Sequence, residues 1–237
     1  LKYKDVSLAD PSFTVIDYFS KLNVTTPYGK KPVVQGYPGR LFIPSGNTTR
    51  SEASKMLVHA ACLYDLAENQ GISLDYIKEI NPFEADVKDS AWYKDNAAIL
   101  HELGILNGYK YDPETQEEYE DGKPRFKPEN TITRGEFLKM LTEIYLLWNP
   151  NVSFNIEDYY IATNEVFSDI DGYGTFDAYA LFMKEQGIFL GDSNGKARLL
   201  DAITRSESLT ILNNMSVRMS EIQDENVQKF FGGGVER

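Results

Sequence analysis

ENTITRGEF, residues 129–137, has two near-copies in the same chain: GNTTRSEAS at 46–54 and DAITRSESL at 201–209. Their shared core, Thr-Arg-x-Glu, sets a Thr three residues ahead of a Glu, just before an apolar-periodic run. That is the signature of a capping box. The Thr hydroxyl accepts from the Glu backbone N–H, and the Glu carboxylate reaches back to the Thr N–H. Thr49/Glu52, Thr133/Glu136 and Thr204/Glu207 are therefore expected to open three helices, each box contributing about 1 kcal/mol. Capping leaves the intervening residue unexplained: Arg50, Arg134 or Arg205. A cation at the first helical position faces the positive end of the helix dipole, where like charge is mildly unfavourable. The arginines need another reason.

A second element recurs upstream, as YKDV at 3–6, EADV at 84–87 and FSDI at 167–170. Eighteen residues beyond Asp5, Asp86 and Asp169 stand Asn23, Gly104 and Gly187, followed by Val24, Ile105 and Ile188. The second and third copies read GILNG and GIFLG, a helix C-cap followed by a tight turn. Between these anchors Ile16, Ala97 and Ala180 share a helical face with Phe19, Leu100 and Met183. Behind the capping boxes, Met56, Met140 and Ile211 are equivalent, as are Leu57, Leu141 and Leu212. The same stripe continues through Ala60, Ile144 and Met215 to Tyr64, Trp148 and Met219. One such unit is too small to hide its stripe alone. The spacing predicts a mainly α domain of three helix-loop-helix repeats about a pseudo-threefold axis, with a central three-helix bundle. The expected boundaries are 1–81 for repeat one with a connecting helix at LDYIKEI (74–80), 82–150 for repeat two and 151–220 for repeat three. Residues 221–237, ending QKFFGGGVER, form a tail.

The composition excludes several functions. A formal net charge of −12 and a sequence pI near 4.7 argue against nucleic acid, whose phosphates need clustered Lys and Arg. No run approaches the roughly 18–20 apolar residues of a membrane span. The chain opens LKYKDV, without a signal peptide, as a mature secreted chain also would. The single cysteine, Cys62, excludes an internal disulfide framework and reads as a buried, inert thiol. His59 and His101 lack a Glu-x-x-His partner, and no Gly-x-Ser-x-Gly or phosphate-cradling loop is present. DIDGYG (169–174) and GDSNG (191–195) lack the alternating ligands of calcium loops and read as turns. No catalytic residue, cofactor or metal site is expected. The six carboxylates within residues 112–121 read as a solvated acidic hairpin. Phe42/Pro44 and Phe126/Pro128 precede their capping boxes at similar distances, with Leu199 or Leu200 taking the aromatic place in the third copy. Asp5, Asp86 and Asp169 are expected to fix a turn or a cap rather than touch a ligand.

The ordered set of Asp-Val, an aromatic such as Trp92, Gly-Ile-x-x-Gly, Phe-x-Pro and Ile-Thr-Arg-x-Glu resembles the S-layer homology repeat. The likeness is fullest in residues 83–148, followed by 166–219, and weakest in 3–67, where NVTT replaces the glycine turn. The resemblance implies a bacterial cell-surface module of three repeats around a central helical bundle. It implies non-covalent anchoring to the cell envelope through secondary cell-wall polysaccharide, commonly pyruvylated, bound in grooves between repeats. The expected partner is an anionic cell-wall glycan, with no nucleic acid and no membrane insertion. The expected setting is fusion to, or assembly with, a larger secreted surface protein. A pyruvyl carboxylate suits the planar Arg fork, so Arg50, Arg134 and Arg205 are candidate ligand contacts, aided by free helix N–H groups. Trp92 is a candidate sugar-stacking platform, with a buried packing role as the alternative. The competing readings are arginines that pair with carboxylates of a neighbouring repeat, and a module that binds peptidoglycan or a protein partner instead.

Overall fold

The computed structural model describes residues 2–160 and 166–222, so the expected tail lies outside the described residues from position 223 onward. In chain order the elements are helix α1 (Phe13–Lys21), strands β1 (Asn23–Thr26) and β2 (Gly29–Pro32), and helices α2 (Arg50–Ala60), α3 (Leu63–Asn69), α4 (Leu74–Glu79) and α5 (Lys94–Glu102). Helix α6 (Arg134–Trp148), a 3₁₀ turn (Ile156–Tyr159), α7 (Asp177–Glu185) and α8 (Arg205–Ser220) complete it. The described chain is mainly helical. Its one sheet is the antiparallel pair β1–β2, in register from Asn23 opposite Pro32 to Thr26 opposite Gly29.

All three capping boxes form, opening α2, α6 and α8. A helix start leaves four backbone N–H groups without an intrahelical acceptor. In α2 the Thr49 N–H donates to Glu52 Oε2 (3.1 Å) and the Glu52 N–H to Thr49 Oγ1 (3.2 Å). The two between them go elsewhere: Arg50 N–H to Asn130 O (2.9 Å) and Ser51 N–H to Pro128 O (3.1 Å). The start of α6 uses Asp201 O and Leu199 O in the same way, and the start of α8 uses Gly46 O and Pro44 O. Each helix is thus capped half by itself and half by the loop ahead of another. Just before the caps the chain closes a cycle. Thr48 N–H donates to Ile203 O (2.9 Å), Ile203 N–H to Ile132 O (3.0 Å) and Ile132 N–H to Thr48 O (3.0 Å).

The remaining helices follow the same rotation: α5 packs on α2, α7 on α6, and α1 on α8. Every stripe residue singled out from Met56 to Met219 is buried, as are Ile16, Ala97, Ala180, Phe19, Leu100 and Met183. The recurring aspartates fix turns. Asp5 accepts from the N–H groups of Phe42 and Ile43, Asp86 from Phe126 and Lys127, and Asp169 from Ala197 and Arg198. The second residue of each pair holds a left-handed backbone (φ 58°, 55° and 50°). Paired N–H groups on one carboxylate compensate that strain.

Three local expectations change. Asn23 is not the counterpart of Gly104 and Gly187. Those glycines follow their helices at φ +74° and +73°, whereas α1 is capped by Leu22, whose carbonyl accepts from Val33 N–H. The hairpin 23–32 is therefore an insertion, and Val33-Val34-Gln35-Gly36 is the true counterpart of Ile105-Leu106-Asn107-Gly108. The aromatic place in the third copy belongs to Ala197, whose N–H meets Asp169 as Phe42 N–H meets Asp5; Leu199 takes the proline place. The helix after the first box also breaks at Cys62 (φ 50°), where the Trp148 indole N–H donates to the Ala61 carbonyl (3.0 Å). Cys62 is partly buried, and burial pushes its thiol up to about 12, leaving it inert at neutral pH.

Asp86→Ala would leave two N–H groups of a strained turn without acceptors. It is expected to lower unfolding stability by about 2 kcal/mol in urea titrations, given about 1–3 kcal/mol for each buried unmade bond. A loss below about 0.5 kcal/mol would show that water replaces the carboxylate freely.

Candidate functional site

The three arginines are almost wholly buried, at 5%, 3% and 2% exposure for Arg50, Arg134 and Arg205. Each reaches out of its own segment. Arg50 donates to Phe126 O and pairs with Glu136 (3.1 Å). Arg134 donates to Ala197 O and pairs with Glu207 (2.9 Å). Arg205 donates to Phe42 O and Gln35 O and pairs with Glu52 (2.7 Å). The acid in every pair is the capping-box Glu of another box. That is the missing reason for Arg in Thr-Arg-x-Glu: its guanidinium joins one box to the next, and the three pairs close a second cycle. The helix starts offer no free N–H to a ligand, contrary to expectation, because backbone carbonyls and the boxes take all four.

Aromatic rings flank these guanidinium groups. Arg205 lies 4.6 Å from the Tyr37 ring centroid and 4.7 Å from Phe42, and Arg50 lies 4.4 Å from Tyr109. The Tyr37 and Tyr109 hydroxyls donate to Glu52 and Glu136. Burial and the Glu52 carboxylate push Tyr37 up to about 12. In the third copy Asp192 stands where those tyrosines do, and Arg134 lies 5.2 Å from the Phe189 ring instead. Arg198 also donates to Glu207 (2.6 Å). Burial pushes Glu207 up, but the Thr204 N–H, Arg134 and Arg198 outweigh it and hold the carboxyl below its ordinary range. Burial draws Arg134 down against the pull of Glu207.

Two of the four candidate residues meet at one cavity. Arg205 and Trp92 line a space of about 310 Å³ together with Tyr37, Glu52 and Lys55. Trp92 is 60% exposed, touching Tyr93 edge to face, so it is a free platform and not a core residue. Arg134 lines a different cavity, of about 530 Å³, with Glu207 and Phe189. Arg50 faces Tyr109 and Glu136. Lys55 went unnoticed in the sequence. It stands three residues past the capping Glu52, one turn along the same helix face, and that spacing was its only signal. Its Nζ donates to Gln35 Oε1 (2.9 Å), and burial, then Arg205 and Lys31, draw its pKa down to about 8. His59, nearby, is drawn down to about 4 by burial and is neutral at pH 7. Among the described residues no three His, Cys, Asp or Glu side chains converge as a metal site, and no helix is long and apolar enough to cross a membrane.

Residues 28–54, from the hairpin turn into α2, match the model of the S-layer homology domain. That stretch carries S-layer homology sequence. The matched stretch includes Gln35, Tyr37 and Glu52, which line the Arg205–Trp92 cavity, and Arg50, which does not. A cellulosome-anchoring protein of Acetivibrio thermocellus is 29% identical over 106 residues, 45% of this chain and 19% of that protein. The S-layer homology match and the relative thus each cover only part of the sequence.

Removing one member of a buried ion pair strands the other, at a cost of about 3–5 kcal/mol. The partner carboxylates here keep partial exposure, so Arg205→Ala or Arg134→Ala is expected to cost about 3 kcal/mol in urea unfolding. The Arg134 pair should also weaken in acid. The depressed Glu207 carboxyl contributes stability that is full above its unfolded value near 4.5 and lost as pH falls through the lower folded value. A cost under 1 kcal/mol for both variants would mean the arginines join nothing.

Proposed function

We propose that the chain is a non-catalytic anchoring module that holds a surface protein on the bacterial cell envelope by binding an anionic wall glycan. The segments 1–81, 82–150 and 151–220 act in it as three S-layer homology repeats sharing one core. The observation that carries this reading is the exposed Trp92 standing in one cavity with Arg205 and Lys55. A flat apolar ring beside fixed cations suits a sugar that bears a carboxylate, such as a pyruvyl ketal. The ring stacks on the indole, and the acid meets Lys55 and the outer edge of the Arg205 guanidinium. Arg134 beside its own cavity, and Arg50 beside Tyr109, are the corresponding contacts of the other grooves. The relative's role in cellulosome anchoring and the S-layer homology match support the surface location. A chain of charge −12 that takes an acidic polymer must concentrate its cations, which is what this groove does.

Lys55 gives the reading a pH signature. A lysine whose folded pKa lies near 8, against 10.5 in free form, is held charged at neutral pH at a cost to the fold. An anionic ligand offsets that cost. By linkage, the depressed pKa means that Lys55 lowers stability below pH 8, and that this penalty disappears only above the unfolded value.

Co-sedimentation with sacculi from the source bacterium, half of them stripped of secondary polysaccharide by hydrofluoric acid, tests the function. Binding is expected to need the polysaccharide and to weaken as pH rises from 7 to 9. Survival after stripping would favour peptidoglycan, and absence of binding to either would favour a protein partner. Lys55→Met is expected to bind weakly, to lose the pH dependence, and to melt about 2–4 °C higher, as about 1 kcal/mol does in a chain of this size. A variant that binds normally would remove Lys55 from the site.

A further inference from the structure

The Arg205–Trp92 cavity continues into a second. A space of about 470 Å³ lies beneath the β1–β2 hairpin and shares Gln35, Lys55 and Trp92 with the first. The hairpin supplies one wall through Thr26, Tyr28 and Lys31, and the start of α5 supplies the other. Both volumes fall within the roughly 300–1,000 Å³ of ligand pockets. The hairpin is an insertion of the first copy alone; in the other two, the helix runs directly into its glycine turn at Gly104 or Gly187. Among the described residues this second space therefore has no counterpart walled by a hairpin.

Its charges are unevenly satisfied. Asp95 is already neutralised, pairing with Lys94 (2.7 Å) and accepting from the Tyr28 hydroxyl. Lys94 is further held by the carbonyls of Ile77, Lys78 and Ile80. Asp89 accepts from Asn81 at the rim, Glu52 belongs to Arg205, and His59 is neutral. Among the described residues neither Lys31 nor Lys55 has a carboxylate partner. Lys55 has only the neutral Gln35 amide, and it feels Lys31 and Arg205 as neighbouring like charges. Two cations lining one cavity without a carboxylate partner, in a strongly acidic chain, suit an anion that the described residues do not themselves provide.

We propose that the space beneath the hairpin is a second saccharide subsite, so that this groove takes at least two consecutive sugar residues of an acidic glycan. Trp92 divides them, and the anionic group of the second sugar sits between Lys31 and Lys55. The proposal rests on the anchoring function above and makes the first groove the high-affinity one, because a ligand that fills both spaces meets two cation sets at once. The other grooves, lacking the hairpin, hold a single residue.

The test uses the full chain in titration calorimetry with wall glycan released by hydrofluoric acid, partially hydrolysed and sized into one-, two- and three-sugar fragments. Affinity is expected to rise at least tenfold from one sugar to two. Lys31→Ala is expected to reduce that gain below threefold while leaving one-sugar affinity within twofold. Lys31 is exposed on β2 and contributes nothing to the core, so an unchanged melting temperature will show that the variant folds. Trp92→Ala is expected to weaken both fragment classes. One-sugar binding without a gain in length, or a full gain in Lys31→Ala, would overturn the second subsite and leave the anchoring function standing. Failure of every fragment to bind would overturn both.

Discussion

The fold depends on three backbone hydrogen bonds that no single segment can make. Thr48, Ile132 and Ile203 each donate an N–H to one of the other two and accept from the remaining one, and the cycle closes only when all three segments are present. The three residues are buried or nearly so, so an unmade bond here strands a polar group away from water. Around this ring everything else repeats the same rotation. The loops ahead of the capping boxes complete one another's helix starts, each arginine reaches another box's glutamate, and each leading helix packs on another segment's box helix. Local capping and long-range assembly are one set of contacts. A segment that caps its own helix has half the donors satisfied and must find another for the rest.

This arrangement explains why so much of the fold was legible. Capping boxes are local, and Thr133 and Glu136 announce theirs without any knowledge of the rest of the chain. The apolar stripe from Met140 to Trp148 has the helical period and becomes core whatever it packs on. The aspartate turns were readable because Asp86 recurs at fixed spacing from its helix. The acceptors of the second and third helix N–H groups were not readable, because they come from residues as remote as Asn130 and Gly46 in the linear order. The role of the arginines followed from that same blindness. A carboxylate ligand and a neighbouring box's Glu present the same chemistry to a guanidinium, and only the three-dimensional rotation says which Glu is there.

The hairpin was hidden for a different reason. Eighteen residues separate Asp5 from Asn23 just as they separate Asp86 from Gly104, and the equal spacing invites an equivalence that the backbone does not honour. The physical clue lay in residue type. A helix that ends in a left-handed turn favours Gly, and Leu22-Asn23-Val24 offers two branched side chains and one amide. NVTTPYGKKP alternates and carries a Gly at the turn end, where φ is +86°, so it has the grammar of a short hairpin. Once the insertion is recognised, Gly36 falls into line with Gly108 and Gly191. A side chain at any of the three would strike a carbonyl opposite, from Leu41, Arg125 or Lys196.

The same insertion shows which parts of the architecture stability fixes and which it leaves free to vary. The ring, the paired boxes and the aspartate turns are alike in all three copies, because each must complete another and a change in one would leave donors unmade elsewhere. The segments between the glycine turn and the box face outward and are free to differ: Tyr37 and Tyr109 beside two arginines, Asp192 and Arg198 beside the third. Lys55 lies at the boundary between the two regimes. It stands on a box helix, yet its charge is opposed by burial, by Arg205 and by Lys31, and among the described residues no carboxylate pairs with it. A neutral residue there would serve the fold better, and the neighbouring Glu52 is already committed to Arg205. A cation kept against the interest of stability, one turn from the lock that holds the molecule together and beside an exposed tryptophan, is what the proposed anionic ligand would relieve.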